Sequence, residues 1–170
     1  GASDGVIGHS DFQLDWTVRL GPGDASLNWL VSWVDSLERQ GAVGAPADEL
    51  AGQARGVLGG SVAEWRWNLR AAYDWSGIQA ALQWRYVDSL EASSPPDNAT
   101  WRIPSQDYLD FYLAYDVQEG SFAGVALSAG VENLTNVDPP IFPGYVQANT
   151  DPSVYDTLGR RYFARATYRF

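Results

Sequence analysis

The chain holds a single histidine, His9, and no cysteine. Thiolate metal sites, disulfides and cysteine nucleophiles are therefore impossible. A Ser-His-Asp relay would have to be built on a residue that precedes the first regular pattern, so an esterase barrel is not expected and no catalytic residue is assigned. Asp97, Asp107, Asp110 and Asp156 could share a cation or act as paired carboxylates. Their spacing matches no EF-hand loop or other motif, and solvated loop and interior charges explain them more simply, so no metal or cofactor is expected. More informative are Arg66, Arg70, Arg85, Asp110, Tyr112, Arg165 and Arg169, which alternate with apolar neighbours. On one face of a sheet they would present groups able to recognise a solute in a watery interior, or they would pair with one another across strands. Arg66, Arg85 and Asp110 fall nearest the long connections and are the wall residues expected to meet a solute. Within those connections Trp101, Phe142, Tyr145, Gln147 and Asn149 combine aromatic platforms with amides. That mixture suits a glycan ring or an aromatic chelate, and it also suits loops that pack on each other.

The elements that carry these residues have a period of two. From 65 to 75 the odd positions are Trp65, Trp67, Leu69, Ala71, Tyr73 and Trp75, against Glu64, Arg66, Asn68, Arg70, Ala72 and Asp74 at the even ones. A helix would throw Trp67 and Trp75 onto its polar side, so the pattern predicts a strand. The same alternation predicts strands over 12–20, 78–86 and 162–170, and less cleanly over 27–34, 108–116 and 125–133. That makes about seven strands, each near the 9–11 residues a tilted strand needs to cross a bilayer. No apolar run approaches the roughly 18 residues of a membrane-spanning helix. With 11 Lys+Arg against 21 Asp+Glu and a net charge of -10, a nucleic-acid partner is not expected.

Aromatic residues gather near strand ends, as paired girdles at two water-lipid interfaces would require. A soluble sandwich would instead place its bulk at mid-strand. The connections alternate between short (21–26, 76–77, 119–124) and long (35–63, 87–106, 134–161). Outer-membrane barrels have tight periplasmic turns and longer extracellular loops, so the long set is assigned to the outside. The expected fold is therefore all-β, an antiparallel transmembrane β-barrel contacting outer-membrane lipid. Seven strands would leave two unpaired edges in lipid. The remaining strands, and any export signal, are expected from upstream sequence or a second polypeptide. Sequons at Asn98 and Asn133 are read as accidental.

One stretch is specific enough to compare with a known family. Val131-Glu132-Asn133-Leu134-Thr135-Asn136, then Asp138-Pro139-Pro140, then residues 149–163 (Asn-Thr-Asp-Pro-Ser-Val-Tyr-Asp-Thr-Leu-Gly-Arg-Arg-Tyr-Phe), and finally Thr167-Tyr168-Arg169-Phe170 closely resemble the C-terminus of TonB-dependent receptors. The likeness is specific from about Ile103 onward and rests on pattern before that. It implies that residues 1–170 are about the last seven strands of a barrel of about 22 with a plugged lumen. It further implies an energy-coupled, non-enzymatic importer, with TonB acting through a plug located elsewhere. Tyr162, Tyr168 and Phe170 would then form the signal read by the barrel-assembly machinery, or serve as a lipid-facing girdle. A passive porin segment and a soluble β-sandwich binding module are the alternatives.

Overall fold

The structure is a computed structural model that describes residues 5–40, 44–55, 60–94, 99–142 and 149–169. Among these there is no helix, and twelve strands form two sheets. In chain order they are β1 (Gly5–Leu20), β2 (Gly23–Gln40), β3 (Ala47–Glu49), β4 (Gln53–Arg55), β5 (Gly60–Val62), β6 (Trp65–Trp75), β7 (Ile78–Val87), β8 (Leu90–Ser94), β9 (Ala99–Ile103), β10 (Gln106–Asp116), β11 (Val125–Glu132) and β12 (Arg161–Tyr168). The main sheet runs β1-β2-β6-β7-β10-β11-β12, with short β3 beside β2. Its seven long strands are antiparallel throughout and follow chain order, so each pairs only with its sequence neighbours in the meander. β1 and β12 are its two edges. No pairing joins them among the described residues, and the sheet is open.

Period-two sequence becomes two-faced sheet because the registers keep odd and even rows apart. One row reads Leu14, Trp29, Leu69, Trp84 and Leu109 across five strands, and the next reads Asp15, Asn28, Arg70, Gln83 and Asp110. The first face continues with Trp16, Leu27, Ala71, Leu82, Phe111, Val131 and Tyr162. Tight turns hold this phase. Ser76 and Gly77 both have positive φ (50° and 82°), the signature of a type I′ turn whose twist suits a hairpin.

Glycines also make room for rings. At Gly130 a Cβ would lie 2.5 Å from the Phe163 ring and 2.7 Å from the Phe111 carbonyl oxygen. The bare backbone lets Phe163 reach across β11 to within 5.9 Å of the Tyr112 ring.

Several elements are longer or more numerous than alternation predicted. β1 begins at Gly5 and therefore contains His9, with a bulge between Gly8 and His9. β2 spans 18 residues because its turn is only Gly21-Pro22. The last strand is Arg161–Tyr168, one residue earlier than expected at its start, and Phe170 lies outside the described residues.

The long connections are not plain loops. β4, β5, β8 and β9 form a second sheet, in which β4 and β8 pair in parallel through Gln53 with Glu91 and Ala54 with Ala92. Strands of three to five residues carry too few alternations to be recognised, and their partners are distant in sequence. Around them Ala54, Ala63, Val87, Leu90, Ala92, Ile103, Phe142 and Tyr155 make the buried apolar core. This core sits where the long connections meet, at one end of the main sheet.

Replacing Gly130 with Val should lower stability by about 1–3 kcal/mol, the range for overpacking, because both the ring and a backbone oxygen would have to move. Equilibrium unfolding of the variant beside the parent measures it, and an unchanged midpoint would show that Phe163 does not depend on the gap.

Candidate functional site

The polar face of the main sheet and the loop end that overhangs it hold the chain's recognisable chemistry. Asp110, on β10, is 2% exposed. A lone buried carboxylate would be costly, and this one is fully engaged. Arg85 of β7 donates to it twice, Nε to Oδ2 at 2.8 Å and Nη2 to Oδ1 at 3.1 Å, and the Asn133 backbone N–H adds a third bond at 2.8 Å. Arg85 also lies over the Tyr108 ring, with its guanidinium carbon 5.1 Å from the centroid.

Asn133 follows β11 with φ at 51°, a conformation asparagine tolerates better than most residues. Its side-chain amide donates to the Val137 carbonyl and accepts from the Val137 N–H, at 2.9 and 2.8 Å. It is 0% exposed, so the sequon there is a structural turn and not an acceptor for a glycan. The sequon at Asn98 lies outside the described residues.

The last connection is tied to the main sheet by a chain of charges. Asp156 accepts from Arg161 Nη1 at 2.8 Å and lies 3.9 Å from Arg85 Nη2, while Arg161 also binds Glu132 at 2.7 Å. The Asp156 N–H donates to the Tyr108 hydroxyl at 3.3 Å. Burial pushes the Asp156 carboxyl upward, yet the Arg161 hydrogen bond, the Leu158 N–H and the charges of Arg161 and Arg85 outweigh it and hold the group below its ordinary value. Asp151, 0% exposed, accepts from the Ser61 N–H and from both the N–H and hydroxyl of Ser153. Two connections distant in sequence are thereby joined.

The residues singled out from sequence fall into three groups. Arg66, Arg85 and Asp110 do share the polar face near the loop end, and Arg66 and Arg85 border a groove of about 680 Å³. Arg85 and Asp110 are paired with each other, so of the two arginines only Arg66 has no ion pair among the described residues. Trp101 stands exposed on β9, opposite Ala92, away from that groove. Asn149 has φ of 55° and uses its carbonyl to accept from the Phe142 N–H at 2.8 Å. Phe142 itself is buried in the loop core. Tyr145 and Gln147 lie outside the described residues. Tyr162 and Tyr168 are on the apolar face, 71% and 55% exposed.

His9 meets two potential partners, Asp11 at 3.0 Å and Ser32 at 3.4 Å. Both contacts land on Nε2, whereas a relay needs the carboxylate on Nδ1 and the hydroxyl on Nε2. The trio therefore lacks nucleophile-activating geometry. Among the described residues no three His, Cys, Asp or Glu side chains converge as metal ligands.

Sequence reasoning missed Asn133, Asp151, Tyr108 and Tyr155 as structural keystones. The signal for Asn133, Asp151 and Tyr155 was their place in or near the Asn-Leu-Thr-Asn and Tyr-Asp-Thr-Leu-Gly-Arg-Arg segments, and Tyr108 carried none beyond its polar-face phase on β10. Compared with protein-family models, curated proteins and solved structures, the chain has no significant match in any of the three.

The Asp156 latch should be pH dependent. Because its folded-state pKa is depressed, the stabilisation is complete above the ordinary carboxylate value and fades as pH falls through the lower folded value. Hydrogen-exchange protection around residues 154–160 should therefore drop as pH falls below the ordinary carboxylate value of about 4. Asp156→Asn should show weakened protection already at neutral pH and little of that acid step. Identical profiles in both proteins would show that the latch does not hold the loop.

Proposed function

We propose that this chain forms part of the wall of an outer-membrane β-barrel, about its last seven strands. We further propose that the barrel is a TonB-coupled importer taking up a solute from outside the cell. The observation that carries the reading is the continuous apolar face of the meander, which is open to the surroundings along its whole width. Phe12, Trp16, Trp75, Leu82, Leu113 and Leu127 are all exposed on it. An uncovered patch of this extent is foreign to soluble monomers and ordinary for a surface bathed in acyl chains.

Its internal order supports the same reading. Near the long connections Trp33 stacks on Trp65 at 5.5 Å and Trp67 on Tyr86 at 3.7 Å, with Trp84 edge-on to Trp67. The tips stay polar, since Trp84 Nε1 donates to Asp107 at 2.6 Å and the Tyr86 hydroxyl to Asp88 at 3.1 Å. Aromatic rings with an apolar body and a wet end belong at a membrane interface. At the short-turn end Tyr73, Trp75, Tyr115 and Tyr168 form the second belt, with Ala71, Ala80, Leu82, Ala129 and Ala164 between. Trp67 and Trp75 are about 26 Å apart along β6 at about 3.3 Å per residue. A tilt of about 40° reduces that to about 20 Å of height, near the roughly 25 Å band of such barrels.

The soluble alternative requires a second sheet over the Trp and Tyr side. Among the described residues, the smaller sheet instead packs with the long connections at the sheet end. On the barrel reading the two open edges take strands from upstream sequence or a second chain. The short turns then face the periplasm and the long connections face outward. The importer class rests on the likeness of residues 103–170 to TonB-dependent receptors, whose plug contacts the TonB complex.

Leu82 and Gln83 are adjacent residues on opposite faces of β7, which makes a direct test. In lipid vesicles, Leu82→Arg should destabilise the assembled barrel by about 2–4 kcal/mol, the cost of a charge at the midplane. Gln83→Arg should change it by less than about 1 kcal/mol. Equilibrium unfolding in vesicles reads both, and equal effects would remove the membrane assignment.

A further inference from the structure

The groove beneath the last connection has an arginine without a carboxylate partner. Arg85 and Arg161 hold Asp110, Asp156 and Glu132, and Arg70 lies over the Tyr112 ring at 5.4 Å. Arg66 spends one N–H on the Ser61 carbonyl at 3.3 Å, and no ion pair joins it to any described residue. A guanidinium has five N–H donors, so most of its hydrogen-bonding capacity is unspent.

Around it sit polar atoms that are also buried and unpartnered: the Ser61 hydroxyl, the Tyr155 hydroxyl and the Asn68 side-chain oxygen. Ser61 is the residue whose carbonyl Arg66 binds. Tyr155 is close enough to feel the Arg66 charge, and burial pushes its hydroxyl well above the ordinary range, so it remains a proton donor. Asn68 is two positions along β6 on the same face, and both Arg66 and Asn68 line the groove of about 680 Å³, which Val154 covers at one end. Buried polar groups normally find partners. Here a cation with unspent donors and an amide oxygen line a space of ligand size, while the Ser61 and Tyr155 hydroxyls are buried off that lining.

We propose that this groove is a solute site for a carboxylate-bearing molecule. The carboxylate is bound by Arg66, and a hydroxyl or amide N–H of the same molecule donates to Asn68 Oδ1, both residues lining the groove. Asp11, held by His9, lines the groove in the same cross-strand row as Arg66, so the site suits a single negative charge better than a phosphate dianion. The site deepens the importer reading and rests on the polar face being the watery interior.

The same chemistry could be met by a carboxylate from another segment of the barrel protein, and the test separates the two. Hippurate carries a carboxylate, an amide N–H and a phenyl ring, and its methyl ester differs by the charge alone. Calorimetric titration would use the detergent-purified protein assembled with the rest of its barrel. Hippurate should bind, and the ester at least about tenfold more weakly. Arg66→Gln should lose about tenfold or more, Arg66→Lys should recover part of it, and Arg19→Gln, at the short-turn end of β1, should leave binding unchanged. Equal binding of acid and ester, or an unaffected Arg66→Gln, would overturn the proposal. So would absence of hippurate binding; if Arg66→Gln then lowered the melting temperature of the assembly, the missing carboxylate would belong to the protein itself, and if not, water alone would fill the groove. None of these outcomes touches the Leu82 and Gln83 comparison, so the site and the membrane assignment can fail separately.

Discussion

Parity of register is the constraint on which everything else depends. In a strand the side-chain period is two, and a slip of one residue between neighbours would exchange the faces of a whole strand. Here four pairings in succession carry Leu14 to Leu109 and Asp15 to Asp110 in adjacent rows without mixing. Two-residue turns at Gly21-Pro22 and Ser76-Gly77 leave little freedom to slip, and the backbone ladder propagates the phase from one hairpin to the next. A surface that is apolar across seven strands, backed by one that is charged and hydrogen-bonded, is the consequence.

Unequal ends follow from the same chain order. Strands that alternate direction collect all the long connections at one end, and those connections then have enough residues to build a core of their own. That core is small and alanine-rich, so polar fastenings do much of the positioning. Asp110, Asn133 and Asp151 are buried with their hydrogen-bonding capacity engaged. Such groups contribute modestly to net stability because desolvation offsets their attraction, yet loss of one partner strands the other. Their effect is to select one loop arrangement, in which Asp156 bridges the last connection to Arg85 of β7 and to Arg161 of β12.

The proposed importer uses both faces of this sheet against different solvents. Hydrocarbon accepts the leucine, alanine and aromatic side without competing for hydrogen bonds, and interfacial water accepts the polar tips of Trp84 and Tyr86. A watery interior accepts arginines and carboxylates that no dry core would tolerate. In that proposal Val154 borders the groove near the loop end, where Arg66 and Asn68 offer hydrogen bonds to a bound molecule.

Alternation along the chain was sufficient to determine the all-β class, the seven long strands, their order, the side each residue faces and the alternation of short and long connections. These are local properties, set by side-chain type and by glycine at turns. The extent of β1 and β2, the bulge beside His9 and the entire second sheet were beyond it, since three-residue strands such as β4 and β5 gain their hydrogen bonds only from partners far along the chain. The candidate site divides in the same way. Arg66, Arg85 and Asp110 were legible as polar-face residues from their phase. Which of them pairs with a carboxylate was decided by tertiary structure, because Asp110 and Asp156 reach Arg85 only when β7, β10 and the last connection meet, and no carboxylate among the described residues pairs with Arg66.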